Sequence, residues 1–298
     1  MSKHLKLRLR RARTRDRRKR RARHRPAAVG WRARQAANNK TGALTAGRHE
    51  LALFAALYAS YDAARWIWAS RRSVARAHAH RVIEFERSLH IAVEASVQRA
   101  LDSWVVSFVL SNIYLAAQLI VLPGALLWLY RRSPGVYRQL RNTVVAAWLI
   151  STPIFALYPV APPRLAGVGI KDLVSHQAAV TLTGQSTMFY NPYAAVPSLH
   201  VGLAFAVGLA AAVVLRQRWA KALALLWGPI VTVAVIATGN HYLFDAATGL
   251  LLAAVSFAVT RGLSVCRVGA RRGRRVVRPS RPATAIGRLR PEAASGEQ

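Results

Sequence analysis

Three stretches of this sequence carry residues able to do chemistry: His241 and Asp245 in GNHYLFD, Ser198 and His200 in NPYAAVPSLH, and Arg164 in YPVAPPRLAG, with Lys171 and His176 weaker candidates further along the same loop. His241 and Asp245 are spaced i, i+4, which puts both side chains on one face of a helix. The carboxylate can then accept from one ring nitrogen, fix the tautomer and leave the other nitrogen as a nucleophile or base. Pro197 suits the first turn of a helix, and Ser198 with the free amides there forms an anion site that the helix dipole favours. His200 lies one step on, within reach of a group bound at that terminus. Arg164 follows two stiffening prolines and can grip a phosphate through paired hydrogen bonds. Each has a plain structural reading as well: an inter-helix hydrogen bond, a helix start, an arginine reaching for headgroups. Together, two histidines, a carboxylate, an arginine and a helix N-terminus are what phosphoryl transfer through a phosphohistidine requires.

Such a set needs a scaffold that brings positions 164, 200 and 241 together. The chain has 298 residues, 53% of them hydrophobic, and a formal net charge of +33. Arginine-rich ends and an apolar, aromatic-rich body reconcile the two figures. Like-charge blocks repel and stay disordered, so residues 1–48 and 264–298 are expected to be disordered basic cytoplasmic tails flanking a membrane domain at 49–263. One cysteine, Cys266, excludes an internal disulfide framework and a cysteine metal site.

Runs of about 20 apolar residues match the hydrocarbon core of a bilayer. Five are clear: Ser103 to Tyr130, Asn142 to Val160, Ala195 to Leu215, Ala222 to Thr238 and Tyr242 to Thr260. Leu51 to Trp68 is a weaker sixth, interrupted by Asp62 and Arg65, which sit i, i+3 and can pair. It reads better as an uncleaved helix than as a signal peptide, because a cut after Ala69 would place Ile67 where a small residue is needed. The expected fold is all-α, a polytopic helical membrane bundle of about six transmembrane helices. RRSPGVYRQLR (131–141), RQRWAK (216–221) and both tails are basic, so the positive-inside rule places them and both termini in the cytoplasm of a multi-pass cell-membrane protein. Arg164, PSLH and His241 then meet at the external face. In the connection from Arg71 to Asp102, Val82, Ile83, Phe85, Leu89 and Ile91 are expected to form the apolar face of an interfacial helix.

APPR, NPYAAVPSLH and GNHYLFD, in this order on this span pattern, resemble the phosphatidic acid phosphatase type 2 superfamily, and most of all its inositolphosphorylceramide synthase (inositolphosphotransferase) branch. The similarity runs from about Leu51 to Leu263. It implies a lipid phosphotransferase or phosphatase needing no metal or other cofactor, with His241 as nucleophile, Asp245 as its orienting partner, His200 as the acid for the leaving alcohol, and Arg164 with Ser198 holding the phosphate. The implied partners are a membrane phospholipid and a lipid or polyol alcohol acceptor. The broad phosphatases of the superfamily carry Ser-Arg where this chain has Ala234 and Val235, and Gly where it has Leu199. No counterpart of their lysine ahead of the first arginine is found. Fewer phosphate-gripping cations suit a phosphodiester, which carries less negative charge.

Two other classes compete. The tails could bind nucleic acid by counterion release, but no nucleic-acid module or stacking pattern accompanies them apart from Trp31, and anionic lipid headgroups are the simpler partner. A transporter would need polar groups through the full membrane depth; here they gather at one end.

Overall fold

The computed structural model describes residues 47–48, 50–57, 59, 72–177 and 192–276. Most of both basic tails, and most of the weak first segment with Asp62 and Arg65, lie outside the described residues. Residues 50–57 are helical, within a unit of their own (residues 1–72 with 184–192). The larger unit is an all-α membrane bundle of nine helices among the described residues: α1 (Arg72–Ser88), α2 (Glu94–Ala100), α3 (Trp104–Ala116), α4 (Leu122–Arg132), α5 (Pro134–Leu157), α6 (Leu173–Gln177), α7 (Leu199–Val214), α8 (Arg218–Ala237) and α9 (Leu243–Val276).

Four segments are long and apolar enough to cross a membrane: Trp104–Arg132, Pro134–Leu157, Arg218–Ala237 and Leu243–Leu263. α7, where the span Ala195 to Leu215 was expected, is a shorter apolar helix of 16 residues. α3 and α4 form one span joined by a π turn at Ala117–Val121. Pro123 follows directly; it cannot donate an amide hydrogen, and the wider turn accommodates the interrupted ladder. α9 continues to Val276, beyond the boundary expected at residue 263. α7 packs on α8, α9 and α5, and α9 also on α5. Glycines permit the closest of these contacts. A Cβ on Gly202 would sit against the backbone of Gly249, and one on Gly208 against that of Ala224.

The chain reverses at each short connection, so the starts of α3, α7 and α9 and the ends of α5 and α8 share one end of the bundle. The basic turns at 131–135 and 215–218 lie at the other. α1 does not present the apolar face expected of it. Ala75, Ala79, Val82, Ile83 and Glu86 are its buried residues, whereas Phe85 and Leu89 are exposed. At about 100° per residue the first five fall within a stripe about 100° wide, Phe85 lies about 60° outside its edge, and Leu89 follows the last residue of the helix. The buried stripe joins Val160, Ala161, Tyr193, Ala195 and Tyr242 in a core under the polar end of the bundle.

Candidate active site

His241 lies between helices rather than on one. α8 ends at Ala237; Gly239, at φ +70°, turns the chain; and the amides of Asn240 and His241 both return to the Val235 carbonyl (3.0 and 3.2 Å). α9 starts only at Leu243. The helix-face pairing expected of His241 and Asp245 is therefore replaced by a helix-start geometry. Asp245 Oδ2 accepts from the Tyr242 amide (2.9 Å) as an N-terminal cap and lies 3.3 Å from His241 Nδ1. The nearer partner of Nδ1 is the Ala195 carbonyl at 2.9 Å. A carbonyl only accepts, so Nδ1 carries the hydrogen and Nε2 keeps its lone pair. That carbonyl is set by a short parallel bridge, in which Val160 N donates to Tyr193 O (2.8 Å) and Ala195 N to Val160 O (3.3 Å). Burial pushes the His241 imidazole down to about 4; the Ala195 hydrogen bond opposes this, and the positive charge of Arg164 adds to it.

Three carboxyl groups close the start of α9. Besides Asp245 on Tyr242 N, Glu94 Oε1 accepts from Leu243 N (2.9 Å) and Glu86 Oε1 from Phe244 N (2.6 Å). All three are buried. Burial pushes Glu86 up to about 8, against the Phe244 amide and with the charges of Glu94 and Asp245. The α9 terminus is thus filled by the protein's own acids and is closed to an outside anion.

The terminus of α7 is arranged differently. Ser198, not Pro197, borders the helix: it is the N-cap, its buried Oγ accepting from Val201 N (3.4 Å), and Pro197 precedes it after a cis bond from Val196. The amides of Leu199 and His200 have no protein partner among the described residues, leaving them free for an anion. Ser198 N donates to the Asp245 carbonyl (3.0 Å), which ties the start of α7 to that of α9. His200 stacks on Tyr114 of α3, with centroids 4.3 Å apart, and faces His241 at 5.9 Å between ring centroids. Its ring nitrogens have no hydrogen-bond partner among the described residues.

Arg164 sits in a single 3-10 turn, Pro163–Leu165, with its backbone amide on the Gly239 carbonyl (3.0 Å). Its Nε donates to Asn240 Oδ1 (2.9 Å), beside His241, and its Nη1 to Asp172 Oδ2 (2.8 Å). A Cβ on Gly239 would meet Ile170, Lys171 and Arg164, so glycine is what lets this loop close onto the neck that carries His241. Gln98 of α2 braces the same loop, donating to the Lys171 and Ala237 carbonyls (3.0 Å each) and accepting from Lys171 N (2.8 Å).

The structure therefore brings Arg164, Ser198, His200, His241 and Asp245 to one end of the bundle. Lys171 is instead paired with Asp102 at the exposed surface (3.0 Å), and His176 lies on α6. Sequence reasoning passed over Tyr114, Asn240, Asp172, Gln98, Glu86 and Glu94. Two of them offered a signal: Glu86 and Glu94 are acids in a segment otherwise read as amphipathic. Among the described residues no three His, Cys, Asp or Glu side chains are grouped as a metal site. The sequence profile of the PAP2 superfamily matches residues 80–259, more than half of the chain, taking in every one of these positions. No curated protein and no solved structure was found to match it.

Proposed function

The chain belongs to the PAP2 superfamily, whose membership supports a lipid phosphatase or phosphotransferase type of function, and from that premise we propose an integral membrane lipid phosphotransferase of the inositolphosphotransferase-like branch. It moves a phospho-headgroup, phosphoinositol among the candidates, from lipid to an alcohol acceptor through a phosphohistidine. The observation that carries this reading is the pairing of a His241 ring whose Nε2 keeps its lone pair with a second imidazole, His200, facing it at 5.9 Å.

In the first step His241 Nε2 forms the N–P bond as the P–O bond to the lipid alcohol breaks, and His200 gives its proton to the departing alkoxide. In the second, His200 takes the proton of the acceptor hydroxyl as its oxygen attacks phosphorus and Nε2 is released. The Leu199 and His200 amides, with Arg164, hold the phosphoryl oxygens; Ser198 caps the helix that presents them. Asp245 steadies His241 and supports the charge that develops on it. No step calls on a metal. The basic turns lie at the opposite end from the site, and the positive-inside rule then sets the site at the external face, both termini in the cytoplasm and the tails on anionic headgroups.

Transfer to water, which would make the protein a lipid phosphate or polyprenyl diphosphate phosphatase, uses the same phosphoenzyme and is the second reading. The test is purified full-length protein with a panel of labelled phospholipids, with and without inositol, ceramide or diacylglycerol, followed by product identification. Acceptor-dependent formation of a new phosphodiester is expected. Release of inorganic phosphate or free headgroup phosphate alone would favour hydrolysis. Solute flux in liposomes without lipid turnover would favour transport.

A further inference from the structure

The charge of Arg164 reaches His241, and it is not left to the substrate alone. Its side chain is only 7% exposed, and its Nη1 lies 2.8 Å from Asp172 Oδ2. Asp172 cannot easily swing away, because Ser175 holds it twice, by its amide on Oδ1 (3.2 Å) and by its hydroxyl on Oδ2 (2.8 Å). Burial would raise the Asp172 carboxyl, but Arg164 and Ser175 together hold it below its usual value, so it is ionised throughout the working range. The loop's other cation, Lys171, is likewise matched by Asp102, and Arg76 of α1 directs its Nε to the Leu165 carbonyl (3.0 Å). Of the five residues placed in the site, the other ionisable ones are His200, His241 and Asp245, so Arg164 supplies its one permanent cation.

We propose that Asp172 sets the charge of the group this site accepts: by holding Arg164 in a fixed, largely buried ion pair, it selects a phosphoryl group with one negative charge, a phosphodiester, over a dianionic phosphomonoester. A monoanion offsets the part of the guanidinium charge that Asp172 leaves, whereas the second charge of a monoester meets the carboxylate's field across a poorly solvated site. The inference rests on the reading of Arg164 as a phosphate ligand. Asp172 does not touch the reacting atoms; it acts through Arg164 as a specificity-determining residue.

The experiment compares phosphatidylmethanol with phosphatidic acid of the same acyl chains in detergent micelles containing the purified full-length protein. Both release the same diacylglycerol, and they differ by one methyl group and one negative charge. The wild-type ratio of kcat/KM, diester over monoester, should rise about tenfold per pH unit above the second ionisation of the monoester, near pH 6, since the titration of His241 cancels in the ratio. Asp172→Asn, which keeps an acceptor for Arg164, should lower that ratio at least about tenfold at neutral pH, the size of effect a neighbouring charge has on an ionisation, and flatten its pH dependence. Asp172→Glu should retain the wild-type ratio. A wild-type ratio that stays flat with pH, or an Asp172→Asn variant in which both rates fall together, would overturn the proposal; the wild-type arm decides even if the variant fails to fold. Arg164→Gln with wild-type rates on both lipids, or no turnover of either lipid by the wild type, would instead remove the underlying phosphotransfer reading.

Discussion

Adding one methyl group at Gly249 should disable the site from outside it. Gly249 lies on α9, one turn beyond Asp245, where that helix meets the start of α7. A Cβ there would stand 2.9 Å from the carbonyl carbon of Ser198 and 3.1 Å from its nitrogen, and well inside contact distance of its oxygen. These are backbone atoms and cannot rotate aside. Carbon atoms settle roughly 3.5–4.0 Å apart, so Gly249→Ala must drive the α7 terminus back by on the order of 1 Å. The Ser198 N–Asp245 O hydrogen bond is strained by the same movement, and His200, two residues on, retreats from His241. Overpacking of this kind costs about 1–3 kcal/mol of stability, and a displacement of about 1 Å between reacting groups costs about 10²-fold in rate. Gly124→Ala is the matched control: its Cβ meets nothing within 4 Å, and the change removes a helix penalty of about 0.8–1.0 kcal/mol. The assay is kcat and KM on a lipid donor and on a nitrophenyl phosphodiester, below the melting point, with thermal unfolding followed in detergent. Gly249→Ala should lose kcat on both, because the displaced terminus carries the phosphate-holding amides, and more on the lipid, because it also carries the proposed acid. Wild-type turnover and melting in Gly249→Ala would refute the claim that this glycine sets the spacing of the two histidines.

Other outcomes follow from the same geometry. His200→Ala should lose about 10²–10⁴-fold on a lipid substrate and much less on the nitrophenyl analogue, while His241→Ala is inactive on both and forms no acid-labile phosphoenzyme; equal losses for His200→Ala on the two substrates would remove its assignment as the acid. Glu86 holds its proton to about pH 8 in the fold against 4.5 unperturbed. The folded state therefore binds the extra proton across that window, and stability should fall as pH rises through it; Glu86→Gln, compared by thermal melting from pH 5 to 9, should flatten the slope. In a Cys266→Ser background, a cysteine at the exposed Lys171 should react with an impermeant reagent on intact cells and one at Gln217 should not, the reverse pattern placing the site inside. Chelation should leave turnover unchanged, and loss restored by zinc would speak for a metal centre.

Much of the fold was written in hydropathy. Spans of apolar residues and basic turns depend only on local composition, because each helix satisfies its own backbone in lipid; the five clear segments are all helical and most of their ends lie within a few residues of where they were placed, but Asn142 to Val160 begins earlier, at Pro134, and Tyr242 to Thr260 runs on to Val276. Likewise the residue types at 164, 198, 200, 241 and 245 were enough to suggest phosphoryl chemistry, and they do gather at one end. The helix starts were less legible. Pro197 and His241 both lie just outside the helices assigned to them, since caps and turns are set by hydrogen bonds to distant groups that periodicity does not encode.

What the sequence by itself determined, then, is the inventory: apolar helices, their alternation, and a few polar motifs at their ends. Tertiary structure alone decided how the inventory is used. The tautomer of His241 is set by Ala195, 46 residues away in the chain, and the start of α9 is held by Glu86 and Glu94 from helices that precede the first long span. The charge of Arg164 is tempered by Asp172 through a loop folded onto Gly239. Each is a polar contact between groups remote in sequence, in a setting where an unpaired polar group is costly. Their partners are fixed by helix packing, which a one-dimensional pattern constrains but does not specify.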